Sequence, residues 1–261
     1  DNANNAFNID RVDNTTNLLS ISSAGNVGIG ITPACALHID APDNGGIVAI
    51  FDTDNSGSKL IFRNTSTTGN NTQIGAEGND LVAFTGGAER LRIAADGAIS
   101  TPTAGASNVR LGVNAGDAIE SGANYNVIVG DNAGTALTTG DSNTLVGYNA
   151  GSALTEGNDG NVLIGRNAGA LLEAADYNIA IGYNALDADV EGNRAVAIGV
   201  GALGLQSFSS TNNNYNIAIG YASGSAVLTG VQNVLIGGLA GSNMQTATNS
   251  VAVGYDSLSG V

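Results

Sequence analysis

Tryptophan is absent from this 261-residue sequence, and cysteine, methionine, histidine and lysine occur once each. One cysteine, Cys35, excludes an intrachain disulfide, and one histidine, His38, excludes a multi-histidine metal site within a chain. Aromatic residues make up 5% and charged residues 12%, so a thick conventional core is not expected. No apolar run reaches transmembrane length and no signal-peptide pattern is present. The chain opens on Asp1 rather than methionine, as a fragment or a processed product would. Cations are scarce, and the formal charge of −15 repels nucleic acid and anionic membranes. What remains is glycine (38 residues) among Val, Ile, Leu, Ala, Asn, Thr and Ser, which suits thin interdigitating layers.

Those residues are arranged in a repeat. The phrase Asn126-Val127-Ile128-Val129-Gly130 returns with its glycine at 112, 130, 147, 165, 182, 199, 220, 237 and 254. Seven of the eight spacings are 17 or 18 residues and one is 21. Val, Ile or Leu precedes each glycine, and two positions earlier stands a second β-former, from Val109 to Val251. This alternation predicts a short strand with those two positions facing inward. Ala or Ser always follows the glycine by three residues, as a tight interior requires, and Asn precedes the strand in seven of nine copies. Stacked asparagines form register-fixing ladders. Each copy therefore reads as one solenoid coil of two short strands and two turns, and nine coils at ~4.8 Å give a column of roughly 43 Å.

The position between the two inward residues is then outward, yet it is apolar in eight of nine copies: Ile128, Leu145, Leu163, Ala180, Ala197, Ala218, Leu235 and Ala252. Strands apolar on both faces are buried on both faces. These eight residues are the expected oligomer interface, closed by rotational symmetry between copies, and Arg110 marks the edge of the stripe.

The phrase Asn178-Ile179-Ala180-Ile181-Gly182-Tyr183-Asn184-Ala185-Leu186 resembles coils of the β-roll heads of trimeric autotransporter adhesins, and more closely the repeats of bacteriophage tail fibres. Upstream, Gly25-Asn26-Val27-Gly28-Ile29-Gly30-Ile31-Thr32-Pro33 with Leu37-His38-Ile39, and Ala88-Glu89-Arg90-Leu91-Arg92-Ile93 before Asp96-Gly97, are similar to phrases common in phage tail fibres. The resemblance implies a left-handed β-roll, a homotrimer, other virion or fibre proteins as partners, and a host-attachment role on an extracellular virion tail fibre. The alternatives are a bacterial trimeric adhesin head on the cell surface and a structural spacer or surface filament without receptor contact.

The expected fold is thus all-β: a repetitive β-solenoid of about nine coils over 107–261, preceded over 1–106 by a small antiparallel β region serving as attachment or connector. Runs such as Ile47–Phe51 and Lys59–Arg63 suggest its strands, and Thr101–Gly105 suggests the junction. No enzyme is expected and no cofactor is called for. Gly199-Val200-Gly201-Ala202-Leu203-Gly204 spells a dinucleotide fingerprint, but the repeat already accounts for Gly199 and no helix pattern follows. Asp52–Gly57 opens like a calcium loop, yet its twelfth position is Arg63, so it reads as a turn. Acidic residues such as Asp141, Glu156, Asp159 and Glu173 have the spacing of solvated turns rather than of a hydrolase pair. Two features could serve binding: the seven tyrosines, all in the repeats, whose recurring phase also suits packing at a coil corner or interface, and the extra residues of the 21-residue copy, where Phe208, Asn212, Asn213 and Asn214 are the candidate receptor contacts and a plain spacer loop is the alternative. Host surface polysaccharide is the candidate ligand. Nucleic acid binding and membrane insertion are not expected.

Overall fold

The computed structural model describes residues 7–10, 17–29, 37–39, 57–62, 72–85, 88–97, 99–101 and 107–260. Cys35, the run Ile47–Phe51, the Asp52–Ser56 part of the calcium-like loop, Arg63 and Pro102–Gly105 of the expected junction lie outside them. The chain divides into two compact units, Asp1–Leu60 with Gly75–Gly78, and Ile61–Ile74 with Asn79–Val261. This division differs from the expected boundary at residue 106.

In the first unit, β1 (Phe7–Asp10), β2 (Asn17–Ile21) and β3 (Val27–Ile29) pair antiparallel, whereas β4 (Leu37–Ile39) runs parallel to β3, with Gly28 opposite His38. That sheet is therefore mixed rather than purely antiparallel. Strands β5 (Gly57–Phe62) and β6 (Thr72–Glu77) are each split by the division between the units. In the second unit β7 (Asp80–Thr85), β8 (Ala88–Ile93) and β9 (Ile99–Ser100) form an antiparallel meander. Arg92 on β8 ties it together, bridging Asp80 at 2.6 Å and Glu89 at 2.5 Å. The hydrogen bond from this guanidinium holds the Asp80 carboxyl below the usual carboxylate range.

The solenoid is one parallel sheet of nine three-residue rungs: β10 (Val109–Leu111), β11 (Val127–Val129), β12 (Thr144–Val146), β13 (Val162–Ile164), β14 (Ile179–Ile181), β16 (Val196–Ile198), β18 (Ile217–Ile219), β19 (Val234–Ile236) and β20 (Val251–Val253). Register is uniform, each residue opposite its counterpart in the next copy, as in Leu145 against Leu163. The expected second strand per coil is missing. Among the described residues only β15 (Gly192–Asn193) and β17 (Asn212–Asn213) pair on the far side. Elsewhere the return path is a chain of turns, because it needs left-handed backbone that no strand has: φ is +57° at Asn114, +53° at Gly116 and +59° at Tyr125 in the first coil and its approach to the second, and the pattern recurs.

The structure reverses the expected phase of the strands. Ile128, Leu145, Leu163, Ala180, Ala197, Ala218 and Leu235 are 0% exposed and Ala252 is 2% exposed within a single chain. They are the solenoid's own core, not an interface between copies. Val109, Leu111, Val127, Val251 and Val253, expected inside, are exposed. Two neighbours set the phase. The ladder asparagine is buried, so the residue two further on must be buried with it. Its amide turns inward because the acceptors are there: Asn143 donates to Asn158 O at 2.7 Å and to Asn126 Oδ1 at 3.1 Å, while its own Oδ1 accepts the Asn161 N–H at 2.9 Å. Core volume is then exchanged across the coil. Where the middle rung residue is Leu145 or Leu163, the residue six positions on is glycine (Gly151, Gly169), and a Cβ there would meet Leu163 Cδ1 at 2.8–2.9 Å. Where it is Ala180 or Ala197, that place is taken by Leu186 or Leu203, both fully buried.

Arg110 occupies the same inward place in the first coil, its Nε donating to Ala115 O at 2.6 Å. Partial burial pulls its pKa down, opposed by Asp117.

Candidate functional site

The outer face of the nine-rung sheet is built from the first and third residues of each rung. Seventeen of these eighteen positions are Val, Ile or Leu, the exception being Thr144. The face runs the length of the column, and its β-branched side chains are half-buried in the middle and exposed at the ends, Val251 reaching 68%.

Two aromatic columns border it. The residue ahead of each ladder asparagine is outward, and there Tyr125, Tyr177 and Tyr215 are all exposed. The residue after each rung glycine contributes Tyr148, Tyr183, Tyr221 and Tyr255, exposed by up to 78%. Arginines stack on these rings: Arg166 lies between two, 5.6 Å from the Tyr148 centroid and 5.8 Å from that of Tyr183, and Arg194 lies 5.3 Å from that of Tyr177. Glycine makes room for a ring at Gly160, where a Cβ would come within 2.8 Å of Tyr177 Cδ1. Charge is sorted as well. Of the twelve carboxylates between residues 107 and 260, only Asp131 falls in these four columns, against Arg166 and Arg194. Asp131 points along the column, accepting the Val113 N–H at 2.9 Å.

The 21-residue copy folds inward more than its sequence suggests. Phe208 is 6% exposed and Asn214 fully buried, so neither is a surface contact; Asn212 and Asn213 are exposed. The cause lies one coil earlier. At the core position held by Leu137, Leu154 and Leu172, the next two coils carry Asp189 and Gln206, both fully buried. Asp189 Oδ1 accepts the N–H of Phe208 at 2.9 Å and of Val190 at 3.0 Å, and Oδ2 accepts Gln206 Nε2 at 2.6 Å. This carboxylate pins the start of the extra segment, and β17 pairs its far end to β15.

The cluster also mends the ladder. Ala195 stands where an asparagine would present Oδ1 to Asn216. Instead Gln206 Oε1 accepts Asn216 Nδ2 at 2.8 Å and Asn214 Oδ1 accepts the Asn216 N–H at 3.0 Å. Asn214 Nδ2 is left as the one buried side-chain polar atom without a partner among the described residues.

Replacing Asp189 by Ala strands the Gln206 amide and the Phe208 and Val190 N–H groups, at about 1–3 kcal/mol for each buried donor. We expect a stability loss of about 3 kcal/mol by urea unfolding, with faster amide exchange confined first to residues 207–214. Burial raises the Asp189 pKa above its ordinary value of 3.8. A carboxyl with a raised folded pKa contributes most at low pH and progressively less as pH climbs from the unfolded to the folded value. The gap between parent and variant should therefore be widest near pH 4 and narrow upward.

Comparisons with protein-family models, curated proteins and solved structures return no match. Among the described residues, no group of three or more His, Cys, Asp or Glu side chains is placed to hold a metal ion, and no helix is long and apolar enough to cross a membrane.

Two further columns went unnoticed in the sequence. Asp141, Asp159 and Asp176 each turn Oδ1 to a backbone N–H of the preceding coil, at 2.6, 2.7 and 2.9 Å. Two residues after the rung glycine, a partly exposed asparagine ladder runs through Asn114, Asn132, Asn149, Asn167 and Asn184. Both were legible as one residue type recurring every 17 or 18 positions.

Proposed function

We propose that this chain is a self-assembling segment of an extracellular attachment fibre, most simply a tail-fibre segment, in which three copies turn their outer sheet faces to a common axis. The observation that carries it is the apolar outer face, in which seventeen of eighteen rung positions are Val, Ile or Leu. Nine rungs ~4.8 Å apart, with a width of about five residues at ~3.3 Å, make a surface of about 700 Å² per copy. Standard stable interfaces bury about 800 Å² per partner. Burying each Val or Ile contributes ~1.5–3 kcal/mol, and the flanking Tyr and Arg are the residue types that anchor interfaces. Because eleven of twelve carboxylates between residues 107 and 260 sit elsewhere, copies of a −15 chain meet there without facing acid columns.

The copy number of three and the attachment role rest on the resemblance to tail-fibre and trimeric-adhesin repeats. Three equivalent sets of surface contacts give avidity to individually weak binding.

Sedimentation velocity at micromolar concentration is the direct test, with a trimer expected. A well-folded monomer would end the reading. The pair Ile181→Asp and Ile198→Asp places six carboxylates on the axis of a trimer, and should yield monomers that keep the β-sheet circular dichroism.

A further inference from the structure

The partly exposed asparagine ladder stops at one point, and a notch opens there. Its amides run in one direction, with Asn114 Nδ2 donating to Asn132 Oδ1 at 3.0 Å and Asn167 Nδ2 to Asn184 Oδ1 at 3.1 Å. In the next coil the equivalent residue is Gly201, which offers Asn184 no side-chain acceptor. Three residues further along the same coil is Gly204, again without a side chain. Two adjacent columns thus lose their side chains in one coil, leaving a shallow, open depression of about 320 Å³. That is at the small end of ligand sites, about 300–1,000 Å³.

The lining is chemically mixed. Asn184 contributes an amide donor whose oxygen is already engaged by Asn167. The Asp187 carboxylate leans over Gly204, its Oδ1 3.6 Å from where a Cβ on that glycine would lie. Ser225 adds a hydroxyl, and Leu205, 56% exposed, gives an apolar floor. All these residues follow a rung glycine by two to six positions, so they lie beyond the turn and not on the outer sheet face.

We propose that this notch binds one neutral pyranose unit of a glycan. A carboxylate accepts hydrogen bonds from neighbouring hydroxyls, the amide donates to a ring or hydroxyl oxygen, and the serine does either. The apolar floor receives the C–H face of the ring. A net charge of −15 and Asp187 in the wall disfavour anionic sugars. Burial already pushes the Asp187 pKa up, so hydroxyl donors that replace its lost hydration are favoured there. The inference deepens the attachment reading and rests on it only for the source of the glycan.

The repeat supplies its own test. Gly201 has φ +64°, and asparagine holds the same place at +57° in Asn167 and +52° in Asn184. Gly201→Asn should therefore fold, extend the ladder and fill the notch. The intact chain is titrated with the methyl glycosides of glucose, galactose, mannose and N-acetylglucosamine, and with glucuronate as the anionic control, by saturation-transfer NMR. At least one neutral glycoside is expected to bind with Kd on the order of 1 mM. Gly201→Asn should weaken it at least tenfold, and Asp187→Asn, which keeps the shape, should weaken it severalfold.

No binding by any neutral glycoside, equal binding by Gly201→Asn, or preference for glucuronate would each overturn the proposal. Assembly and cell adhesion are read separately. A chain that forms trimers and adheres to cells as well with Gly201→Asn as without it refutes the notch and spares the fibre. A chain that binds glycosides as a monomer does the reverse.

Discussion

Leu163→Asp is expected to abolish folding of the solenoid, whereas Ile164→Asp, one residue along the same rung, should leave a cooperatively folded chain. Leu163 is fully buried, stacked in register between Leu145 and Ala180. A carboxylate there has no cation and no donor, and an unpaired buried charge removes several kcal/mol from a total of about 5–15. Ile164 points to the outer face and is only partly buried in the single chain. Its loss should leave monomer stability within about 1 kcal/mol and act on assembly instead. Circular dichroism with thermal melting, alongside sedimentation, distinguishes the two. The opposite ranking would restore the phase first read from the alternation.

Gly165→Ala is expected to destabilise the chain by at least about 3 kcal/mol, measured by urea unfolding. Its φ is +132°, where side chains are rarely accommodated, and an added Cβ would lie 2.5 Å from Gly182 O and 2.7 Å from Gly182 C. That contact is backbone of the next coil, which cannot withdraw while the Gly182 N–H donates to Ile164 O at 2.8 Å. The rung glycine is therefore required twice, for its dihedral and for close stacking. Gly254→Ala is the control. Its φ is +121° but nothing lies within 4 Å of its Cβ position, so it isolates the dihedral part and should be the milder change.

The repeat made much of the fold readable in advance. A residue recurring every 17 or 18 positions sits above its own copy, so the rungs, the Asn108–Asn178 ladder and the buried Ala115–Ala240 positions followed from spacing. The candidate surfaces were less legible. Phe208 and Asn214 lie in an insertion and read as exposed, because nothing local signals that Asp189, 19 residues before Phe208, turns its carboxylate inward to hold that segment. One signal was present and overlooked: aspartate and glutamine at a position otherwise held by Leu, Val, Ile or Met mark a polar anchor inside the core.

By itself the sequence determined that neighbouring columns of a rung face opposite ways and that both are apolar, since strand geometry alternates with a period of two. It did not determine which column is inside, because alternation has no sign. The three-dimensional coil decided that. Buried asparagine amides reach carbonyls that exist only inside the turn, and the core is so narrow that Leu145 and Leu163 stand opposite Gly151 and Gly169, and Ala180 and Ala197 opposite Leu186 and Leu203. The two branched apolar columns were left on the outer face of the sheet.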